Sequence, residues 1–120
     1  MADLPTTVAP GSVRVRLAVL ALDAARAVEG VVAGDAGPNA THTTTSGSTT
    51  VPGVLVAAES GGGYSIDLGL QARLVPLGAL ADAVRASVVD SITRAGLGDL
   101  LGAVNVTFHD LAAHEAVSGP

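Results

Sequence analysis

The stretch from Tyr64 to Leu74 constrains the fold more than any other part of the chain. Its apolar and polar positions alternate, with Tyr64, Ile66, Leu68, Leu70, Ala72 and Leu74 on one side and Ser65, Asp67, Gly69, Gln71 and Arg73 on the other. A period of two sustained over this length predicts a β-strand with one buried face and one polar face. A polar face of this kind is typical of an antiparallel sheet that is covered on one side only.

Two stretches on either side of this strand have helical spacing. From residue 13 to residue 28, apolar residues recur at intervals of three and four, after a favourable N-cap at Ser12 and before a favourable stop at Gly30. The main stripe of this first helix consists of Val13, Leu17, Leu20, Ala24 and Val28. Pro76 opens a second helix, where its missing N–H costs nothing. The predicted buried stripe of that second helix consists of Leu77, Leu80, Ala81, Val84, Val88 and Ile92.

Shorter apolar runs complete the expected sheet. Val54–Ala58 predicts a strand, Gly61–Gly63 predicts the turn after it, and alternation over residues 104–108 predicts a last strand. The predicted fold is therefore a small two-layer α+β domain with the order helix, strand, strand, helix, strand. In this fold two helices pack on one face of a mainly antiparallel sheet.

Residues 34–50 interrupt the periodic pattern. This segment is rich in Thr, Ser and Gly and almost uncharged, and it contains His42, which we expect to be solvated. A connection of this length without periodicity is either functional or disordered, and the composition favours a mobile surface loop. The expected organisation is one domain over residues 12–111 that includes this loop, with flexible tails at 1–11 and 112–120.

The charge balance and the lack of cysteine exclude several classes of function. Eleven acidic residues outnumber six arginines, there is no lysine, and the net charge is −5. Nucleic-acid binding and polybasic attachment to a membrane surface both require a basic patch that this chain lacks. Without cysteine there are no disulfides, thiol nucleophiles or thiolate metal sites.

The apolar runs and the first residues indicate a cytoplasmic protein. The most apolar run, Leu17–Leu22, is far shorter than the roughly 20 residues that a membrane-spanning helix needs. The start of the chain, Met1–Pro5, lacks the basic region of a secretory signal. We therefore expect a cytoplasmic protein that does not insert directly into the membrane.

No arrangement of residues in the sequence predicts catalysis. His109–Asp110 and His114–Glu115 form the densest titratable group, but their spacing places the histidines on different faces of a helix, and the HExxH order is missing. A solvated tail is the favoured interpretation, with an adventitious metal site as the alternative. A triad of Ser65, Asp67 and His109 is disfavoured because the sequence around Ser65 is not a nucleophile elbow. We expect no enzyme, no cofactor, and no catalytic or metal-binding residue.

A second apolar stripe on the first helix is one candidate for a working surface. Val15, Val19 and Leu22 recur at helical spacing beside polar residues, away from the main stripe. They either pack on a second element of the same domain or form a patch for a partner, since contiguous exposed apolar area usually marks an interface. The other candidate contact surface is the polar face of the long strand, at Asp67, Gln71 and Arg73.

Four segments of the chain resemble the alkaline shock protein family. Residues 27–31 are similar to the family's Ala-x-x-Val-x-Gly-Val helix end, and Tyr64–Leu70 resembles its long alternating strand. Pro76–Arg85 is similar to the opening of its second helix. The most telling segment is Leu100–Leu111, which resembles the closing Val-Asn-Val strand, with Phe108 in place of an aliphatic residue.

The resemblance implies a small cytoplasmic protein of the cell-envelope stress response of Gram-positive bacteria. Members of this family form homo-oligomers and are held at the inner face of the cell membrane through a membrane-anchored partner, and no catalytic residues carry over. We therefore expect a non-enzymatic scaffold that contacts itself and an envelope protein through the helix stripe and the polar strand face. The alternative is a small-ligand or regulatory binding domain that uses the exposed face of the sheet.

Overall fold

The computed structural model describes residues 10–111, which form an α+β domain with two helices and mainly antiparallel sheets. The helices are α1 (Pro10–Arg26) and α2 (Leu77–Arg94). The strands are β1 (Val31–Gly34), β2 (Thr43–Ser46), β3 (Thr49–Pro52), β4 (Val54–Ala58), β5 (Tyr64–Ala72) and β6 (Leu101–Leu111). Short 3-10 turns lie at Pro38–Ala40 and Gly98–Leu100.

The long alternating stretch forms β5, the central strand of the main sheet. Along one edge, β5 pairs antiparallel with β4 through residues 64–68 and with β1 through residues 70–72. Along its other edge, β5 pairs with β6 in a parallel register from Tyr64 to Ala72. The pair is parallel because α2 carries the chain back across the sheet between the two strands.

One hydrophobic core joins both helices to the apolar face of β5. Ile66, Leu68, Leu70 and Ala72 are fully buried, as the alternation predicts. Tyr64 is only partly buried, and Leu74 is 59% exposed because β5 ends at Ala72. The same core contains Leu17, Ala18, Ala21 and Ala25 of α1 and Leu80, Val84, Val88 and Ile92 of α2. Each buried Val, Leu or Ile side chain contributes about 1.5–3 kcal/mol, so many small residues compensate for the scarcity of aromatic rings.

The most buried line of α1 differs from the stripe that the spacing predicts. Leu17 and Ala24 of that stripe are buried, whereas Val13, Leu20 and Val28 are only partly buried. Besides Leu17, the fully buried residues of α1 are Ala18, Ala21 and Ala25, which lie between the two apolar stripes. Their short side chains allow α1 to approach its neighbours closely, and Ser87 Oγ of α2 donates a hydrogen bond to the Ala24 carbonyl at 3.0 Å.

The boundaries of several elements also differ from the predicted ones. α1 begins at Pro10, so the N-cap predicted at Ser12 is wrong, and proline is well tolerated in the first turn. β6 extends over residues 101–111, beyond the predicted 104–108. The predicted tails lie outside the described residues, except that residues 10 and 11 belong to α1.

Residues 34–50, where the sequence predicts a mobile loop, contain a turn and most of a hairpin. β2 and β3 pair antiparallel from Thr43 opposite Pro52 to Ser46 opposite Thr49. Thr44 is fully buried, and its Oγ1 donates to the Val54 carbonyl at 2.8 Å and accepts from the Val56 N–H at 2.9 Å. The predicted element order omits β1, β2 and β3. β1 is only four residues long, and the short threonine-rich strands β2 and β3 have little hydrophobic alternation.

Candidate functional site

Polar side chains pair with one another on the sheet face opposite the core. Asp67 and Gln71 lie on the face that alternates with the buried residues of β5, as the sequence predicts. Asp67 accepts a hydrogen bond from Asn105 Nδ2 of β6 at 2.8 Å. Gln71 Nε2 donates to Asp35 Oδ2 at 3.1 Å. This face is therefore a polar surface whose side chains are already engaged.

Two histidines that are far apart in the sequence meet on this face. His42 follows the Pro38–Ala40 turn, and His109 lies near the end of β6, where the register against β5 shifts between Leu70 and Gln71. His42 Nδ1 and His109 Nε2 are 2.8 Å apart, and the ring centroids are 4.7 Å apart in an edge-to-face arrangement. The sequence prediction of a solvated His42 is wrong, because the β1–β2 connection folds over the sheet.

Two glycines provide the space that the ring of His109 occupies. A Cβ atom at Gly37 would lie 2.6 Å from His109 Nε2, and a Cβ atom at Gly69 would lie 2.9 Å from the same ring. A Cβ at Gly69 would also overlap the backbone oxygen of Asp35, because the connection from β1 crosses directly above β5. Gly37 has a φ of 75°, which favours glycine independently of the space.

The electrostatics of this cluster favour an ionised Asp35 and a neutral His42. Hydrogen bonds from the Gln71 side chain and the Gly37 N–H lower the pKa of Asp35, against the opposing effect of burial. Burial, with a smaller contribution from His109, lowers the pKa of His42, and the charges of Asp67 and Asp35 oppose that shift. At neutral pH the cluster therefore combines a negative carboxylate with an uncharged imidazole.

The hydrogen bonds of the described residues do not connect Ser65, Asp67 and His109 into a triad. Ser65 Oγ donates to the Ala57 carbonyl at 3.4 Å, whereas Asp67 binds Asn105 and His109 binds His42. A triad needs a nucleophile, a base and an orienting acid in one chain of contacts. Within residues 10–111 there is also no group of three or more His, Cys, Asp or Glu residues that could hold a metal ion.

The second apolar stripe of α1 is divided between the core and the surface. Val15 and Leu22 are partly buried against the core, and Leu22 lies against Gly34 of β1. Val19 is 43% exposed. The stripe therefore packs largely within its own domain, and Val19 is its most exposed apolar side chain.

Arg73 lies apart from Asp67 and Gln71, past the end of β5. Its backbone N–H donates to the Gly30 carbonyl at 2.8 Å, so this residue lies beside the turn between α1 and β1. A shallow pocket of about 390 Å³ opens there. It is lined by Glu29, Gly30, Arg73, Val75, Pro76, Ala79, Leu80 and Ala83. The predicted contact surface is therefore divided: Asp67 and Gln71 lie on the polar face of β5, whereas Arg73 lines the pocket.

Asp35, His42 and Asn105 are members of the polar cluster that sequence reasoning did not identify. Asn105 could have been found, because it alternates with Val104 and Val106 and so lies on the same face as Asp67. Asp35 and His42 carry no comparable signal. Their positions depend on the path of the β1–β2 connection across the sheet.

Within residues 10–111, neither helix is both long enough and apolar enough to cross a membrane. No family model, no curated protein and no solved structure matches the chain.

Proposed function

We propose that the protein is a non-enzymatic scaffold of the alkaline shock type, which self-associates and docks to a membrane-anchored partner. The observation that carries the self-association is the outer edge of β6. Among the described residues, this eleven-residue strand pairs with β5 and with no other strand. The unpaired N–H and C=O groups of such an edge are a template for a strand of another molecule.

The regular part of β6, between its two register shifts, lacks charge and proline, two features that normally protect an edge strand from association. Between Gly102 and Phe108 there is no charged residue and no proline. The outer edge of β4 differs, because the Thr44 hydroxyl occupies its backbone groups at Val54 and Val56. The contrast supports β6 as the edge that is available for pairing.

The core side of β6 also favours a second copy as the occupant. Val104, Val106 and Phe108 pack against the core but remain only partly buried. Antiparallel pairing of two β6 strands about a twofold axis is isologous, so each molecule would cover the same apolar side chains of the other. It would also join the two main sheets into one continuous sheet.

Docking to a membrane-anchored partner is supported by the resemblance of four segments to the alkaline shock family. The exposed Val19 and the polar face at Asp67 and Gln71 offer surfaces for that contact. Because the chain is acidic and lacks lysine, a protein partner is a better match than an anionic lipid surface. Small-ligand binding across the whole sheet face is less favoured, since its polar side chains hydrogen-bond to one another.

Light scattering on size-fractionated protein tests the self-association. Thr107→Lys places a charge on the exposed face of β6, and Thr49→Lys makes the same change at an exposed position of β3. We expect an oligomeric wild type, a Thr107→Lys variant shifted to monomer because a lysine on an edge strand opposes pairing with another strand, and an unchanged Thr49→Lys variant. Val19→Asp measures the separate contribution of α1.

The outcomes distinguish a failure of the scaffold proposal from a wrong assignment of the contact surface. A wild type that remains monomeric at high concentration would contradict the scaffold proposal. An oligomer that resists Thr107→Lys but dissociates with Val19→Asp would move the contact from β6 to α1. Hydrogen exchange adds a direct readout, because the outward amides of β6 are expected to become protected only in the oligomer.

A further inference from the structure

The facing ring nitrogens of His42 and His109 have the spacing of two ligands on one metal ion. We propose that this pair binds a divalent transition-metal ion through His42 Nδ1 and His109 Nε2, which lie 2.8 Å apart. Imidazole nitrogen is a good ligand for Ni²⁺, Cu²⁺ and Zn²⁺. This site goes beyond the scaffold function, since it does not depend on the edge of β6 or on any partner.

The nitrogen–nitrogen distance selects among these ions. With metal–nitrogen bonds of about 2.1 Å, two ligands at a tetrahedral angle are about 3.4 Å apart, and two ligands at a right angle are about 3.0 Å apart. The observed 2.8 Å is closer to the right-angle spacing than to the tetrahedral one. Right-angle pairs occur in the square-planar and tetragonal sites of Cu²⁺ and Ni²⁺. The pair therefore favours Cu²⁺ and Ni²⁺ over tetrahedral Zn²⁺.

Both rings are attached to rigid backbone, so binding requires little ordering. The His109 ring fills the space between Gly37 and Gly69. His42 is fixed on both sides of its backbone: its N–H donates to the Ala36 carbonyl, and its carbonyl accepts from the Gly53 N–H, each at 2.8 Å. Preorganised ligands lose less conformational freedom when the ion binds.

The charges around the pair also suit a cation. Asp35 and Asp67 lie close enough to His42 to influence its ionisation, and both are negative when ionised. A neutral imidazole is the form that coordinates a metal ion. Without the ion, one ring donates its proton to the other across the 2.8 Å contact. Binding moves that proton to the far nitrogen of the same ring, so two neutral imidazoles release no net proton.

The protein supplies two ligands and leaves the remaining positions to water. No third His, Cys, Asp or Glu side chain converges with the pair within residues 10–111. An open site of this kind binds more weakly than a closed structural site and keeps positions for exchangeable ligands.

Calorimetric titration with nickel chloride and copper chloride, at about pH 7.5, tests the site. We expect one ion per chain for the wild type. His42→Gln and His109→Gln are each expected to weaken metal binding at least tenfold. Loss of a residue that only hydrogen-bonds to a metal ligand already costs about tenfold in affinity, and loss of a ligand itself should cost no less. His114→Gln, the same change at the third histidine of the chain, serves as the matched control and is expected to bind like the wild type.

Two further measurements test whether each variant is folded and where the metal ion binds. Circular dichroism checks that each variant is folded, and paramagnetic Ni²⁺ is expected to broaden the ring-proton resonances of His42 and His109 first. Full binding by a His42→Gln/His109→Gln double variant, or loss of binding in His114→Gln, would overturn the proposal and assign the ion to the C-terminal segment. Tighter binding of Zn²⁺ than of Ni²⁺ would overturn the right-angle geometry.

Discussion

Thr43 and Thr44 show that identical neighbouring side chains have opposite roles at the start of β2. The Thr44 hydroxyl bridges the Val54 carbonyl and the Val56 N–H, so it replaces the backbone of an absent strand at the edge of β4. The Thr43 hydroxyl is buried and has no hydrogen-bond partner among the described residues. A buried polar group is stabilising only when it is paired, so these two hydroxyls have opposite effects on stability.

We predict that Thr44→Val lowers the free energy of unfolding by about 1–3 kcal/mol, because it leaves a buried carbonyl and a buried N–H unsatisfied. Thr43→Val is the matched control, and it is expected to be neutral or stabilising since it removes an unpaired hydroxyl. Urea unfolding of the two variants measures both values. Equal losses in the two variants would mean that the Thr44 bridge does not contribute to stability.

At the scale of elements, the crossing of the β1–β2 connection over β5 organises the polar face. The crossing places the backbone oxygen of Asp35 above Gly69 and places His42 beside His109. The Asp35 N–H donates to the Gly69 carbonyl at 2.8 Å, and the Gly69 N–H donates to the Gly53 carbonyl at 2.9 Å. Gly69 is therefore the point at which the connection, β5 and the hairpin segment meet.

We predict that Gly69→Ala destabilises the protein by about 1–3 kcal/mol or more, because the new methyl group has no space beneath Asp35 and His109. Gly78→Ala near the start of α2 is the control, since no atom lies within 4 Å of the added carbon. The control is expected to be neutral or slightly stabilising. Thermal unfolding compares the two, and an unperturbed Gly69→Ala variant would show that the connection does not rest on the strand.

At the scale of the whole molecule, the polar cluster links stability to pH. Both His42 and Asp35 have a folded pKa below the ordinary value, so below that value the unfolded chain binds more protons than the folded chain. The stability associated with His42 is lost as the pH falls from about 6.5 through its lowered folded pKa. The stability associated with Asp35 is present above about pH 3.9 and is lost as the pH falls through its folded pKa.

We predict that His42→Gln flattens the pH dependence of the urea midpoint just below pH 6.5, because glutamine takes up no proton there. The decline at more acidic pH, where Asp35 is protonated, is expected to remain. The charges of His109 and Asp67 also influence the pKa of His42. The pH profile of the urea midpoint in His42→Gln is therefore compared with that of His114→Gln, a matched loss of one histidine. An unchanged slope in His42→Gln would contradict a lowered folded pKa.

The elements that could be predicted from the sequence are those whose side chains repeat with the period of their own backbone. β5 shows its alternation over nine residues, and the buried positions of α2, Leu80, Val84, Val88 and Ile92, all belong to the predicted stripe. The hairpin of β2 and β3 has no such repeat. Its one fully buried residue, Thr44, is held by hydrogen bonds to β4 rather than by hydrophobic contact.

The sequence by itself therefore determined the α+β class, the central strand with its two unlike faces, and the buried stripe of α2. These follow from local periodicity, because burial of a repeating apolar face does not depend on the exact path of the chain. Only the tertiary structure decided the pairing of His42 with His109, the bridge at Thr44 and the position of β6 at an edge. Each of these joins segments distant in sequence, and such contacts are set by the packing of the whole chain.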